Sequence, residues 1–127
     1  MPMHLPAYRN RPERFDDAVM ASAQRLAQRW ETKISKIQFM ILPVPDDKLL
    51  DSAAAAGDRV PLSSSKSATA KSPAEITIYR LPLEQLANTP MELVDLVHQC
   101  IVHEVSEMWM LPPSEIDPEY FPEDPDF

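Results

Sequence analysis

The stretch TPMELVDLVHQCIVHEVSEMWML, residues 89–111, predicts a helix with a marked start. Thr89 can cap the first turn, Pro90 suits the first helical position, and Glu92 completes a capping box with Thr89. Two prolines follow residue 111 and end the pattern. The rest of the fold is expected to pack around this helix.

One side of this helix is apolar over roughly half of its circumference, at about 100° of rotation per residue. The residues on that side are Leu93, Leu96, Val97, Cys100, Ile101, Val105 and Met108. His103 and Glu107 are four residues apart, so they are neighbours on the helix surface, whereas Glu104 points into the apolar stripe. Because a buried carboxylate without a partner is costly, Glu104 is expected to have a partner or a chemical role.

His103 and Glu104 form the first half of the sequence H-E-x-x-H, in which two histidines one turn apart hold zinc and the glutamate activates a water. The fifth position is Glu107 instead of histidine. Glu107 can still offer an oxygen ligand. A site with one histidine and one carboxylate, however, favours harder cations such as Mn²⁺ or Fe²⁺ over zinc.

The composition is that of one domain with an acidic C-terminal third. The chain has 127 residues and a net charge of −8. Residues 81–127 contain eleven acidic residues and no Lys or Arg, so this part would repel nucleic acid. No apolar run reaches the roughly 20 residues that span a bilayer, and the N-terminus lacks a signal-peptide pattern. A cytoplasmic protein without membrane contact is expected, and its single cysteine, Cys100, is expected in the core.

Periodicity predicts a second long helix and two strands. Residues 12–31 have apolar side chains three and four positions apart, as in an amphipathic helix. Residues 34–42 and 74–81 alternate between apolar and polar side chains over much of their length, as strands do. Residues 82–88 leave room for one helical turn before the capped helix.

Three segments are expected to lack regular structure. Residues 1–11 form an N-terminal arm, residues 46–73 a flexible loop, and residues 112–127 an acidic, proline-rich tail. Within the loop, residues 59–62 have the pattern of a short edge strand, because Pro61 disfavours a central one. The apolar anchors of the tail are Ile116, Tyr120 and Phe121.

The order helix, strand, long loop, strand and a helix with His-Glu resembles the small bacterial zincin-like metallopeptidase family. The segments that carry the resemblance are RVPL at residues 59–62, EITIYRLPLE at 75–84 and IVHEVSEMWML at 101–111. It implies an α+β fold, a minimal zincin-like domain over residues 12–111 with two main helices packed on a small mixed sheet.

Members of that family look like H-E-x-x-H-x-x-G-x-x-D, with zinc held by the two histidines and the aspartate. Here the glycine position is Met110, which is expected to hinder a sharp turn, and the aspartate position is Pro113, which has no ligand atom. The candidate metal ligands are therefore His103 and Glu107, with the third ligand undecided between Glu115 and Asp117.

This departure from the family pattern predicts a degenerate metal site. The expected function is that of a catalytically inactive binding or scaffold module with no bound metal or other cofactor. The alternative is an active metal-dependent peptidase, with zinc or another divalent cation at the His/carboxylate site and Glu104 as the general base.

Helical geometry places His98, Val102 and Trp109 on the side of the helix away from Glu104. His98 is expected to be exposed, and Trp109 to be a core or interface aromatic. The expected partner is a peptide or a protein. Apolar area on this side could also support a homodimer, so the sequence leaves monomer and homodimer open.

Overall fold

The computed structural model describes residues 11–121. The elements are α1 (Arg11–Ile34), β1 (Ile37–Leu42), α2 (Asp47–Ala56), β2 (Ser63–Lys66), β3 (Ala74–Tyr79), α3 (Arg80–Leu86), α4 (Pro90–Trp109) and α5 (Pro113–Ile116). The predicted N-terminal arm, apart from its last residue, and the end of the predicted acidic tail lie outside the described residues. No helix in the described range is long and apolar enough to cross a membrane.

The three strands form a mixed sheet in the order β1-β3-β2. β1 and β3 are parallel, with Phe39 opposite Ile76, and β2 and β3 are antiparallel, with Ser63 opposite Ile78. The central strand has Ile76 and Ile78 fully buried and Thr77 half-buried on the opposite face, as its alternation predicts. The predicted α+β architecture with a small mixed sheet is confirmed.

The core lies between one face of the sheet and the helices α1 and α4, which pack against each other. Its largest fully buried side chains are Phe15, Leu26, Ile76, Ile78, Leu83, Ile101, Ile116, Val97, Val102 and Val105. Burying one such side chain stabilises the fold by about 1.5–3 kcal/mol. Since Val102 is buried within the chain, the central part of the side of α4 that could have supported a homodimer is already covered.

The prediction of an irregular loop over residues 46–73 is wrong at two places. α2 forms because the Asp46 side chain accepts a hydrogen bond from the Leu49 amide at 2.8 Å and Gly57, at φ 75°, ends the helix in the left-handed region. The four alanines between them favour a helix. An edge strand also forms, but it is β2, four residues after the predicted position.

The start of α4 is as predicted. The Thr89 hydroxyl accepts a hydrogen bond from the Glu92 amide at 3.1 Å, and the Glu92 carboxylate accepts one from the Asn88 amide at 2.7 Å. The helix ends at Trp109, and Met110 follows in the left-handed region at φ 57°. The chain therefore turns sharply out of α4.

After this turn the chain runs back across α1. α5 is a short helix that the sequence did not predict, but the predicted anchor Ile116 is only 1% exposed. The Trp30 indole of α1 donates a hydrogen bond to the Ile116 carbonyl at 2.9 Å. Trp109 packs beside Trp30 with ring centroids 5.3 Å apart, so it has the structural role expected of it.

Candidate functional site

A groove lies between the start of β2 and the exposed side of α4. It has a volume of about 360 Å³ and is lined by Leu62, Ser63, Leu96, Gln99, Cys100, His103 and Glu104. Because α4 is fixed by its capped start and its buried face, the turn of α4 that carries His103 and Glu104 is held beside the edge strand. We call this space the HE groove.

Glu104 is 7% exposed and has the partner that its position in the apolar stripe requires. The Ser63 hydroxyl donates a hydrogen bond to Glu104 Oε2 at 2.5 Å. Hydrogen bonds to an ionised carboxylate are short and stronger than those between neutral groups. This contact ties β2 to α4 and holds the carboxylate at the wall of the HE groove.

His103 and Glu107 contact each other on the solvent side of α4. His103 Nε2 is 3.2 Å from Glu107 Oε1, and the two side chains are 63% and 64% exposed. An exposed pair of this spacing contributes about 0.3–0.5 kcal/mol at most. Little in the surrounding structure therefore fixes the orientation of either side chain.

Cys100 also lines the groove, half-buried rather than fully within the core. Burial raises the pKa of the Cys100 thiol to about 11, against the opposing effect of a hydrogen bond between Cys100 and Ser63 and with a smaller contribution from the charge of Glu104. The thiol stays protonated at neutral pH. It is therefore a poor nucleophile and a poor metal ligand.

The structure places the two candidate third ligands away from this pair. Glu115 is exposed, and its backbone carbonyl accepts a hydrogen bond from Arg29 of α1 at 3.1 Å. The Asp117 carboxylate is bound by Arg25 and His98. Within residues 11–121, no three His, Cys, Asp or Glu side chains are grouped so that they could hold a metal ion. A catalytic zinc site usually has three protein ligands, so the described donor set does not fit one.

Met110 makes the turn that the glycine position of the family pattern makes. Met110 makes the turn although its side chain hinders it, because the residue adopts φ 57° with 89% of its surface exposed, so the side chain meets little steric resistance from neighbouring residues. Two hydrogen bonds across the turn help to hold it, from the Leu111 amide to the Ser106 carbonyl at 3.1 Å and from the Ser106 hydroxyl to the Leu111 carbonyl. The chain beyond the turn leads to α1 and places Asp117 beside His98.

His98 is the residue that the sequence placed wrongly. It was expected to be exposed, but it is 4% exposed between α1 and the chain after α5. Its Nδ1 is 2.7 Å from the Ser22 hydroxyl and its Nε2 is 2.8 Å from Asp117 Oδ2. The Tyr120 ring packs edge-on against the imidazole with centroids 4.7 Å apart.

Arg25 completes this cluster. Its guanidinium donates to both carboxylate oxygens of Asp117, at 2.5 and 3.1 Å. Burial alone would raise the pKa of Asp117, but the hydrogen bonds from Arg25, His98 and the Tyr120 amide outweigh it and lower that pKa. We call Ser22, Arg25, His98 and Asp117 the His98 cluster.

These contacts set the tautomer of His98. Burial lowers its pKa, against the opposing hydrogen bond to Asp117, so the ring is neutral at pH 7. An ionised carboxylate only accepts hydrogen bonds, so Nε2 carries the proton and Nδ1 accepts from Ser22. Ser, His and Asp are the residue types of a nucleophilic triad, but Ser22 is 4% exposed and no substrate carbonyl can reach it. The cluster is structural.

The order of elements, the His-Glu pair on α4 and the edge strand beside it agree with a comparison against protein families. The family model described as zincin-like metallopeptidase matches residues 34–120, which is more than half of the chain. A comparison with curated protein sequences gave no match. The chain belongs to the zincin-like metallopeptidase family.

Proposed function

We propose that this chain is a zincin-fold protein that works without a catalytic metal and binds an extended peptide in the HE groove. The observation that carries the proposal is the position of Asp117. The turn at Met110 is made, yet the chain beyond it binds Arg25 and His98 rather than supplying a third ligand to His103 and Glu107. Within the described residues, His103 at the HE groove and its neighbour Glu107 are therefore two exposed metal donors without a third.

An extended peptide suits this groove because β2 is an edge strand. One side of β2 pairs with β3, and the groove lies beside its first residue, Ser63. Edge strands present unpaired backbone groups, and a peptide can add to them as a further strand. Leu62 and Leu96 give the groove apolar walls, and Gln99 gives it a polar one.

The metal content of the purified protein, measured by plasma mass spectrometry, tests the proposal. We expect the wild-type protein to contain well under a tenth of an equivalent of any transition metal. The Glu107→His variant, which restores the second histidine, should take up more zinc under the same conditions, and Glu107→Gln is the control for loss of the carboxylate alone. Close to one equivalent of metal in the wild-type protein would overturn the proposal.

A second candidate function is a metal-dependent peptidase. The observation that favours it is the position of Glu104, whose carboxylate is held at the groove wall one residue from His103, where a general base is needed. In that case His103 and Glu107 would hold a divalent cation that supplies Lewis-acid chemistry, and the Glu104 carboxylate would accept a proton. This activity would be established if the metal-supplemented wild-type protein hydrolysed a peptide and the Glu104→Gln variant did not. The absence of such hydrolysis would leave the binding function.

A further inference from the structure

A second pocket adjoins the HE groove. It has a volume of about 280 Å³ and is lined by Arg59, Val60, Leu62, Pro82, Gln85 and Leu86. Leu62 lines both spaces, so they are neighbours along the chain segment that enters β2. Four of the six lining residues are apolar, whereas the HE groove has titratable side chains.

The apolar walls of this pocket are open to solvent. Val60 and Leu86 are each 52% exposed, on the segment before β2 and on α3. A concave apolar surface of this kind, beside a groove with polar groups, is typical of a binding site for an apolar side chain. It would complement the groove, whose backbone edge can bind a peptide but has little means of selecting its sequence.

Arg59 adds a charge to the rim of the pocket. Within the described part of the chain, its guanidinium has neither a hydrogen-bond nor an ion-pair partner, in contrast to Arg25 and Arg80. A guanidinium can bind a carboxylate through two parallel hydrogen bonds. The pocket thus combines apolar walls with one free cation, and the ligand that matches both is an apolar side chain with a carboxylate next to it.

We propose that this pocket binds the C-terminal residue of a peptide, with a large apolar side chain between Val60 and Leu86 and the terminal carboxylate on Arg59. The proposal rests on the proposed function, because the residues before the C-terminus would continue past Leu62 into the HE groove. β2 runs away from the pocket, from Ser63 to Lys66. The bound peptide therefore runs antiparallel to β2, which is the pairing that β2 already makes with β3.

Fluorescence anisotropy with labelled peptide pools tests this proposal. The probes are short peptides of random sequence with leucine fixed at the C-terminus, prepared once with a free carboxylate and once as the amide. We expect the carboxylate pool to bind the wild-type protein roughly tenfold more tightly than the amide pool, as for one charge-assisted contact. Arg59→Gln should abolish this difference, and Lys36→Gln, at an exposed turn residue, is the matched control that should retain it.

A second variant tests the apolar walls. Leu86→Asp adds a carboxylate to an exposed position and should weaken binding of the carboxylate pool by about tenfold or more without unfolding the protein. Equal binding of the two pools, or unchanged binding by Arg59→Gln, would overturn the C-terminal recognition and leave the proposed peptide groove intact. If neither pool bound, the peptide groove itself would fail and this inference with it.

Discussion

His98 and His103 lie five residues apart on the same helix and have opposite surroundings. His103 belongs to the sequence motif, yet its side chain is 63% exposed, and its one ion-pair partner within residues 11–121 is the equally exposed Glu107. His98 belongs to no motif, yet both of its ring nitrogens are hydrogen-bonded and an aromatic ring packs against it. The more firmly held histidine is the one that the motif does not mark.

The difference shows where this chain needs a precise side-chain position. Histidines that bind a metal are normally held by a second hydrogen bond that fixes the ring, and such support is absent from the described contacts of His103. The same kind of support surrounds His98, where it joins α1, α4 and the chain after α5. We therefore expect substitutions in the His98 cluster to affect folding and substitutions at His103 to have little effect on it.

Asp117→Ala should have the largest effect. It removes the shared partner of Arg25 and His98 and leaves the imidazole buried without an acceptor. Since the Arg25 side chain is 43% exposed, the loss is set mainly by the buried N–H of the neutral His98, and we expect about 2–3 kcal/mol less free energy of unfolding. Urea unfolding measures it. His103→Ala is the control, with a change of about 0.5 kcal/mol or less; similar losses in both variants would contradict the comparison.

Acidification should also weaken the fold through the His98 cluster. Burial lowers the pKa of His98 in the folded chain below 6.5, its ordinary value in the unfolded chain. At a pH between these two pKa values, the unfolded chain binds a proton that the folded chain does not. The free energy of unfolding is therefore at its full value above pH 6.5 and falls as the pH drops below it. The lowered pKa of Asp117 extends this loss below its ordinary value of 3.8.

Urea unfolding of the wild-type protein and of His98→Gln over a series of pH values measures this dependence. The variant lacks the titrating imidazole, so its free energy of unfolding should change less between about pH 7 and 5. Parallel profiles would show that the His98 cluster does not govern the acid response.

Two serine-to-alanine substitutions compare the two sites directly. Ser22→Ala leaves His98 Nδ1 without a donor in a closed interior, and we expect a loss of about 1–2 kcal/mol. Ser63→Ala leaves Glu104 at the wall of an open groove, where water can replace the hydroxyl, and we expect a loss below about 1 kcal/mol. Thermal unfolding of both variants gives the order, and a larger loss for Ser63→Ala would reverse the comparison.

Met110→Gly should give the smallest change, and it should stabilise the protein. A left-handed conformation costs a non-glycine residue about 1 kcal/mol, and the exposed Met110 side chain has little packing to lose. We expect an increase of about 0.5–1 kcal/mol in the free energy of unfolding. Met91→Gly, at an exposed methionine in the first turn of α4, is the matched control and should destabilise the protein by up to about 1 kcal/mol.

The parts of the fold that depend on neighbouring residues could be predicted from the sequence. Thr89 and Glu92 mark the start of α4 through contacts three residues apart, and the alternation of Ile76 and Ile78 marks β3. The need of Glu104 for a partner also followed from its position in the apolar stripe. Its partner, Ser63, could not be predicted, because the two residues are 41 positions apart.

The sequence did not predict the parts of the fold that depend on contacts between distant residues. β2 consists of three serines and a lysine, which have no strong preference for strands, and it forms by pairing with β3. His98 was expected to be exposed because the helix pattern does not show that α1 covers that side of α4. Its partners Ser22 and Asp117 are 76 and 19 positions away in the sequence, and local periodicity contains no information about such contacts.

The return of the chain across α1 has a consequence for the order of folding. Arg25 and Asp117 are 92 residues apart, and Trp30 and Ile116 are 86 apart, so these contacts close only after nearly all of the described chain has been made. Contacts of such long sequence separation slow folding, because the entropy of a large loop is lost before they form. During synthesis, the side of α1 that carries Arg25 and Trp30 would thus stay uncovered until the last described segment is made, and in that interval a chaperone has the greatest opportunity to bind.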